Sequence, residues 1–377
     1  MRKAFTLVEL LVVVGIIGIL ITLLLPAIQS SREAGRRIQC ANNMRQLAIS
    51  CAAYHDALGA FPPALTVPIK GTDQDRDPGD TFQWGPNWVI RILPFCEYND
   101  VYREFDLDKP ISDPANASAR ATRIATVLCP SDSYNSTPYN PVRYKREGAN
   151  WARGNYGANG AINYLSDYME GNQHMGNPEG PFAFLGPNSP GWNATGGTAG
   201  SAIPISRGVM GCNEACSSRD ITDGLSHTVM LGELRSGTTA IDRRGTWAMG
   251  AAGASSLWGH GVYDDHGPNC NNEWADDIKY GPEIAAAVGG GDVVEIQGMG
   301  CNPLNVKSTQ ATARSQHPGG VNVALCDNSV HFISNDIDHG SNTDVADHVV
   351  PLDPTKLHVW ERLNVSCDGQ VIDGNDW

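Results

Sequence analysis

Positive charge is scarce in this sequence. Its 27 Lys and Arg stand against 41 Asp and Glu, a formal net charge of −14, so it lacks the electrostatic footprint that a nucleic-acid partner requires. Catalytic signatures are missing as well. There is no G-x-S-x-G, Walker A, H-E-x-x-H or G-x-G-x-x-G, and the adjacent Ser226 and His227 do not by themselves make triad geometry. The expectation is a protein that is not an enzyme and needs no cofactor. None of the ten cysteines forms a C-x-x-C, which removes the zinc-ribbon and thioredoxin readings. Charged residues amount to only 18%, while Gly (41) and Pro (23) are abundant. That profile argues against a helical bundle and for short strands among many turns. With 377 residues the chain can bury a substantial core, so a folded rather than a disordered protein is expected.

What is present begins with an apolar run. From Leu10 to Leu25 only Thr22 is polar, and the run continues through Pro26 to Ile28, close to the ~20 residues with which a helix crosses a bilayer. A secretory signal would share the basic Arg2 and Lys3, but the chain continues PAIQSSREAGRRIQC, without a small-residue cleavage site or a lipobox before Cys40. Beyond the span, Ile38, Ala41, Met44, Ala48, Cys51, His55 and Leu58 recur at steps of three and four. The spacing predicts an amphipathic continuation of the same helix, running from about Phe5 to about Leu58 over roughly 80 Å. Pro26 has no N–H and crowds the carbonyl of Thr22, which predicts a kink or a melted turn.

Lys3-Ala4-Phe5-Thr6-Leu7-Val8-Glu9 resembles the processing site of type IV prepilins and type II secretion pseudopilins. The resemblance implies a leader over residues 1–4, cleavage between Ala4 and Phe5 by a prepilin peptidase, N-methylation of Phe5, and Glu9 as the fifth mature residue. Ala4 departs from the Gly usual in that family. The resemblance also answers why a carboxylate opens a membrane span. An ionised side chain in hydrocarbon costs at least ~2.5 kcal/mol and implies a partner, which in pilin-like assemblies would be the Phe5 amine of a neighbouring subunit. The other reading is that Glu9, so near the terminus, snorkels into the headgroups.

In the remainder, VIRILPF and HTVMLGEL read as short strands, and the Gly/Asn/Ser/Pro-rich stretches at about 166–219 and 253–309 read as long loops. Val321, Val323 and Leu325, then Val330 and Phe332, alternate on either side of Asp327-Asn328. That pattern predicts a β-hairpin with a type I′ turn, both central residues at φ > 0. Cys40 and Cys51 lie roughly 16 Å apart along one helix, too far to bridge each other. Connectivity of the rest is not deducible, although Cys212 and Cys216 in GCNEACSSR are close enough for a local staple.

The HPGGVNVALCDNSVHFIS stretch resembles the C-terminal signature of a bacterial family of unknown function described as the prepilin-type processing-associated H-X9-DG domain. His317 precedes Asp327 by the required spacing, with Gly319, Gly320 and Asn322 between and Asn328 in place of Gly. ILPFCEY, VLCPSD, NYGANG and ITDGLSHTVMLGE match further segments of that family, so the resemblance covers almost the whole chain. On the residues alone, His317, Asp327 and His331 could be metal ligands, but the structural reading is preferred. In it, His317 and Asn322 hydrogen-bond turns at the ends of the hairpin, and Asp327 caps its tip. Asp73, Asp75, Asp77 and Asp80 in DQDRDPGD space carboxylates like the start of a calcium loop. Pro78 occupies the position of the loop glycine and Trp84 that of its bidentate Glu, so a solvated acidic loop is preferred over calcium.

The expectation is therefore an α+β, pilin-like fold, with a long N-terminal helix packed on an antiparallel sheet carrying long loop insertions. The segments are a leader (1–4), a transmembrane helix (5–28), its amphipathic continuation (29–58) and an exported globular domain (59–377) containing the hairpin (317–333). By resemblance it is a structural subunit of a type IV pilus or type II secretion-like filament. It would be held in the inner membrane by a single pass, with its globular part in the periplasm or at the cell surface and other pilin-like subunits as partners. The alternative is an anchored surface or periplasmic binding protein, with its nine tryptophans facing a glycan, that uses the prepilin segment only for export.

Overall fold

The computed structural model describes residues 6–66, 84–141, 147–161, 208–259, 267–304, 310–340, 355, 357–370 and 372. The first element, α1 (Leu7–Leu58), is a single helix of 52 residues, about 78 Å long. Thr6 caps it by accepting from the Glu9 N–H, and the Glu9 carboxylate reaches back to the Thr6 N–H at 2.9 Å. This capping box satisfies two end donors reciprocally. At the other end Gly59 takes the left-handed conformation (φ 86°) and donates to the His55 carbonyl, a conformation a side chain would strain. The helix runs on through Pro26, so the expected melted turn does not form.

The two halves of α1 have different surroundings. From Leu7 to Ile28 the large apolar side chains are exposed, Leu7 at 78% and Leu23 at 70%. Cys40, Met44, Leu47, Cys51 and Tyr54 are buried in the main core, which α1 shares with the sheet and with the 88–95 segment. The buried stripe keeps Met44, Ala48 and Cys51 of the expected one and shifts toward Cys40, Leu47 and Tyr54, while Ile38 and Leu58 face solvent. Apolar residues occur all around this half, so spacing alone could not choose the face that the sheet covers.

Five strands form that sheet: β1 (Tyr156–Ala161), β2 (Val229–Glu233), β3 (Ser256–Trp258), β4 (Gly320–Leu325) and β5 (Val330–Ser334), in the order β3-β1-β2-β4-β5. The pairings are antiparallel except β1 with β3, which is parallel, so the sheet is mixed rather than wholly antiparallel. Both faces of β4 are covered. Ala324 belongs to the core shared with α1, whereas Val321, Val323 and Leu325 pack with Trp360 and Leu363 of a C-terminal helix, Val359–Asn364.

The hairpin of β4 and β5 occupies the expected place with a different turn. Only Asn328 has φ > 0 (68°). The Asn328 N–H donates to the Leu325 carbonyl and the Leu325 N–H to the Ser329 carbonyl, as in a type I turn closed by a left-handed residue. Asp327 caps the tip by accepting from the Ser329 N–H at 2.9 Å. VIRILPF is not a strand: Trp88–Ile92 forms a helix, α2, and Leu93–Phe95 a 3-10 turn. Asn87 caps α2 by accepting from the Ile90 N–H, while its amide donates to the Trp247 carbonyl. A short apolar run has no period that separates a buried helix from a buried strand. The stretch expected as a loop at 253–309 contains β3 and two helices, Gly281–Val288 and Gly291–Ile296.

Beside the sheet lies a buried ion network. Arg244 pairs with Asp242 and Asp276, each at 2.8 Å, and Arg314 reaches Asp276 at 3.0 Å. Buried charges are tolerated when paired and hydrogen-bonded in this way.

Candidate functional site

The charged residues that meet beneath α1 come from segments distant in sequence. Glu33 and Cys40, two helical turns apart on α1, project from one side of it toward the sheet. Cys129 follows the 3-10 turn Ala125–Val127, Glu233 ends β2, and His317 precedes β4. Cys40 and Cys129 form a disulfide with Cα atoms 5.0 Å apart, closing a sequence separation of 89. The backbone on both sides is held. Tyr156 donates its hydroxyl to the Cys40 carbonyl at 3.0 Å, Asn155 accepts from the Cys129 N–H, and Asn43 donates to the Leu128 carbonyl.

His317 is the centre of the cluster. Its Nδ1 lies 2.8 Å from Glu33 Oε1 and its Nε2 3.2 Å from Glu233 Oε1, with Cys129 Sγ 3.6 Å from the same Nε2. Glu33 also accepts from Ser131 and from Arg36, while Glu233 accepts from both the backbone and the side-chain amide of Asn322. Burial alone would disfavour the imidazolium, but the hydrogen bonds and charges of Glu233 and Glu33 outweigh it and raise His317 above its ordinary pKa. For Glu33, burial works against the carboxylate, and hydrogen bonds from His317, Arg36 and Ser131 more than compensate, lowering its pKa. The result is a carboxylate–imidazole–carboxylate bridge from α1 to β2 beside a covalent link from α1 to the 129–131 segment. Arg37, on the same side of α1, adds a contact by stacking over Phe332 at 4.5 Å.

This geometry changes several expectations. His317 does not bond a hairpin turn; it is 3% exposed and joins two carboxylates, because the chain before β4 runs directly under α1. Asn322 is likewise turned inward to Glu233. Asp327 and His331 lie at the far, exposed end of the hairpin and do not converge with His317. Gly319 has φ 88°, and at Gly320 a Cβ would collide with the Ile333 carbonyl, which accounts for glycine at both positions. Cys212 and Cys216 are not joined. Cys212 is buried, its backbone pairing with Leu65 in an isolated parallel β-bridge, whereas Cys216 aims its thiol at the Gly208 carbonyl, with Ser366 nearby. Glu9 serves the capping box. Ala4, Phe5, Asp73, Asp75, Asp77 and Asp80 lie outside the described residues.

Glu33, Glu233 and the Cys40–Cys129 pairing were not singled out by sequence reasoning. One signal was available for α1: Glu33, Arg37, Cys40, Met44, Leu47, Cys51 and Tyr54 repeat at alternating steps of four and three, a single seam along a helix.

Residues 29–340 match the family model described as "Protein of unknown function (DUF1559)", and residues 1–25 match the "Prokaryotic N-terminal methylation motif". No curated protein and no solved structure matches the chain. All five residues of the cluster fall within the first of these matches.

Proposed function

The chain belongs to the family described as protein of unknown function DUF1559 and carries the prokaryotic N-terminal methylation motif ahead of it, and from that premise we propose that it is a pseudopilin-like structural subunit of a pilus or type II secretion-like filament. The motif and the long apolar helix make it a pilin-like, membrane-anchored, exported protein. The finer reading is carried by one observation. α1 is an unbroken helix whose apolar half is covered by nothing in the described chain, while its other half is fastened to the head by a disulfide and a buried ion bridge. An anchor for export alone needs no such fastening. A filament subunit does, because load passes between its packed helices and its head.

In this reading a prepilin peptidase cuts before Phe5, and in the filament Glu9 leaves its capping partner for the Phe5 amine of the neighbouring subunit. Lipid solvates neither charge well, so pairing fixes the axial register. Glu9→Gln keeps an oxygen for the cap and removes only the charge. The expected result is normal processing to Phe5, shown by intact mass, and normal membrane insertion, with loss of the cross-linked oligomer ladder formed by the native chain together with its pilin-like partners. A Glu9→Gln chain that cross-links into the same ladder would refute the pairing and favour a plain anchor.

A further inference from the structure

We propose that the Cys40, Cys129, Glu233 and His317 cluster is a zinc site when its two cysteines are reduced, the disulfide being the metal-free alternative of the same site. The donor atoms of these four residues all lie within 4.8 Å of one another, and all four residues are buried. Two thiolates, an imidazole and a carboxylate are a donor set that zinc takes in tetrahedral geometry. With Zn–S near ~2.3 Å and Zn–N or Zn–O near ~2.1 Å, neighbouring donors around a tetrahedral zinc stand roughly 3.4–3.8 Å apart. The 3.6 Å from Cys129 Sγ to His317 Nε2 and the 3.2 Å from that nitrogen to Glu233 Oε1 already approximate this spacing. The two sulfur atoms must also separate, and breaking their bond removes what holds them together.

The outer shell supports the same assignment. A ligating histidine ordinarily donates its other ring N–H to a carboxylate, which sets the tautomer and aims the ring. Here Nδ1 faces Glu33 Oε1 at 2.8 Å, leaving Nε2 toward the cluster. Asn322 holds both oxygens of Glu233, its N–H on Oε2 and its side-chain amide on Oε1, orienting Oε1 to the centre. Glu33 in turn is held by Arg36 and Ser131.

The chemistry balances with a small dithiol as reductant. Thiol–disulfide exchange transfers two electrons and two protons, breaking the Cys40–Cys129 bond and leaving two thiols and the reductant's cyclic disulfide. Zinc then displaces one proton from each thiol, while His317 binds as the neutral imidazole and Glu233 as the carboxylate. After the metal is removed, exchange with a small-molecule disulfide, which takes up the two electrons and two protons as two thiols, re-forms the Cys40–Cys129 bond, so α1 stays fastened to the sheet in either redox state.

The test uses the full chain in detergent micelles, treated anaerobically with one equivalent of Co(II) as a spectroscopic stand-in for zinc and with excess phosphine in place of the dithiol, which leaves the same two thiols as it and one water become the phosphine oxide. A cobalt-free sample is alkylated to verify by mass that Cys40 and Cys129 are both reduced. The expected result is a thiolate-to-cobalt charge-transfer band with the visible bands of tetrahedral Co(II), bleached by one equivalent of Zn(II), together with protection of Cys40 and Cys129 from alkylation. Oxidised protein should show neither band. Glu33→Gln, which leaves all four ligands in place, should keep the spectrum and weaken affinity by about 10–100-fold. Verified reduction without a thiolate–cobalt band overturns the proposal, as does a band whose zinc-loaded form protects other cysteines and leaves Cys40 and Cys129 open to alkylation.

Discussion

Replacing Cys40 and Cys129 together by Ser removes the covalent link between α1 and the head while leaving no unpaired thiol. The disulfide closes a sequence separation of 89 residues, for which the loop-entropy relation gives about 4.6 kcal/mol of stabilisation at 25 °C. The bridge from Glu33 through His317 to Glu233 remains in the variant, so the helix should stay docked in the native state and the loss should come mainly from a less constrained unfolded chain. For a head of this size each kcal/mol moves the melting temperature by roughly 2–4 °C, which places the expected fall at about 10 °C or more. The assay is urea unfolding of the micelle-bound, oxidised chain in the presence of a chelator, followed by tryptophan fluorescence. Trp88, Trp151, Trp247, Trp258 and Trp360 are all fully buried and report on the head. The midpoint should drop by an amount equivalent to about 3–5 kcal/mol, with little change of slope. A variant within about 0.5 kcal/mol of the native protein would refute the view that this disulfide fastens α1, because additional flexibility at an already mobile junction removes nothing.

Two further outcomes follow from groups elsewhere in the head. Asp276→Asn withdraws the charge shared by Arg244 and Arg314 in a buried network and should cost about 3–5 kcal/mol in urea unfolding, whereas a loss below about 1 kcal/mol would mean that Asp242 alone neutralises the guanidinium groups. Burial raises the Glu361 pKa to about 7, against backbone hydrogen bonds from Gly340 and His358 that favour the carboxylate. Because its folded pKa lies above the ordinary glutamate value of about 4.3, its contribution is complete below that value and is lost as pH rises through about 7. Between pH 5 and pH 8 the native chain should therefore lose more stability than Glu361→Gln does, and equal losses in the two would assign the pH dependence to other groups.

Much of the architecture was legible because it depends on local pattern. An uninterrupted apolar run near Arg2 and Lys3 reads as a span, and alternation around Asp327-Asn328 reads as a hairpin. In both cases the pattern of a few consecutive residues already specifies which side chains must leave water. The turn was misread in type because Asp-Asn satisfies more than one geometry, and the ladder register between Ala324 and Val330 selects among them. The α2 segment was misread because a buried apolar run looks the same in either secondary structure until its neighbours are known. Here Asn87 caps α2 and reaches Trp247, which only the folded chain brings near.

The cluster beneath α1 shows the same division. His317 and the segments bearing Cys129 and Glu233 could be marked from sequence by resemblance, and the seam through Glu33 and Cys40 was present as a spacing. Their meeting was not deducible, since pairing across 89 or 284 residues depends on how the sheet orders its strands and which side of α1 it covers. Sequence by itself determined an apolar anchor helix, a head of short strands among many turns and a hairpin at its C-terminal side, because these follow from short-range periodicity and solvent exclusion. Tertiary structure alone decided that Cys40 bonds Cys129 and that His317 sits between two carboxylates, because a buried thiol or charge takes whatever partner long-range packing places within reach.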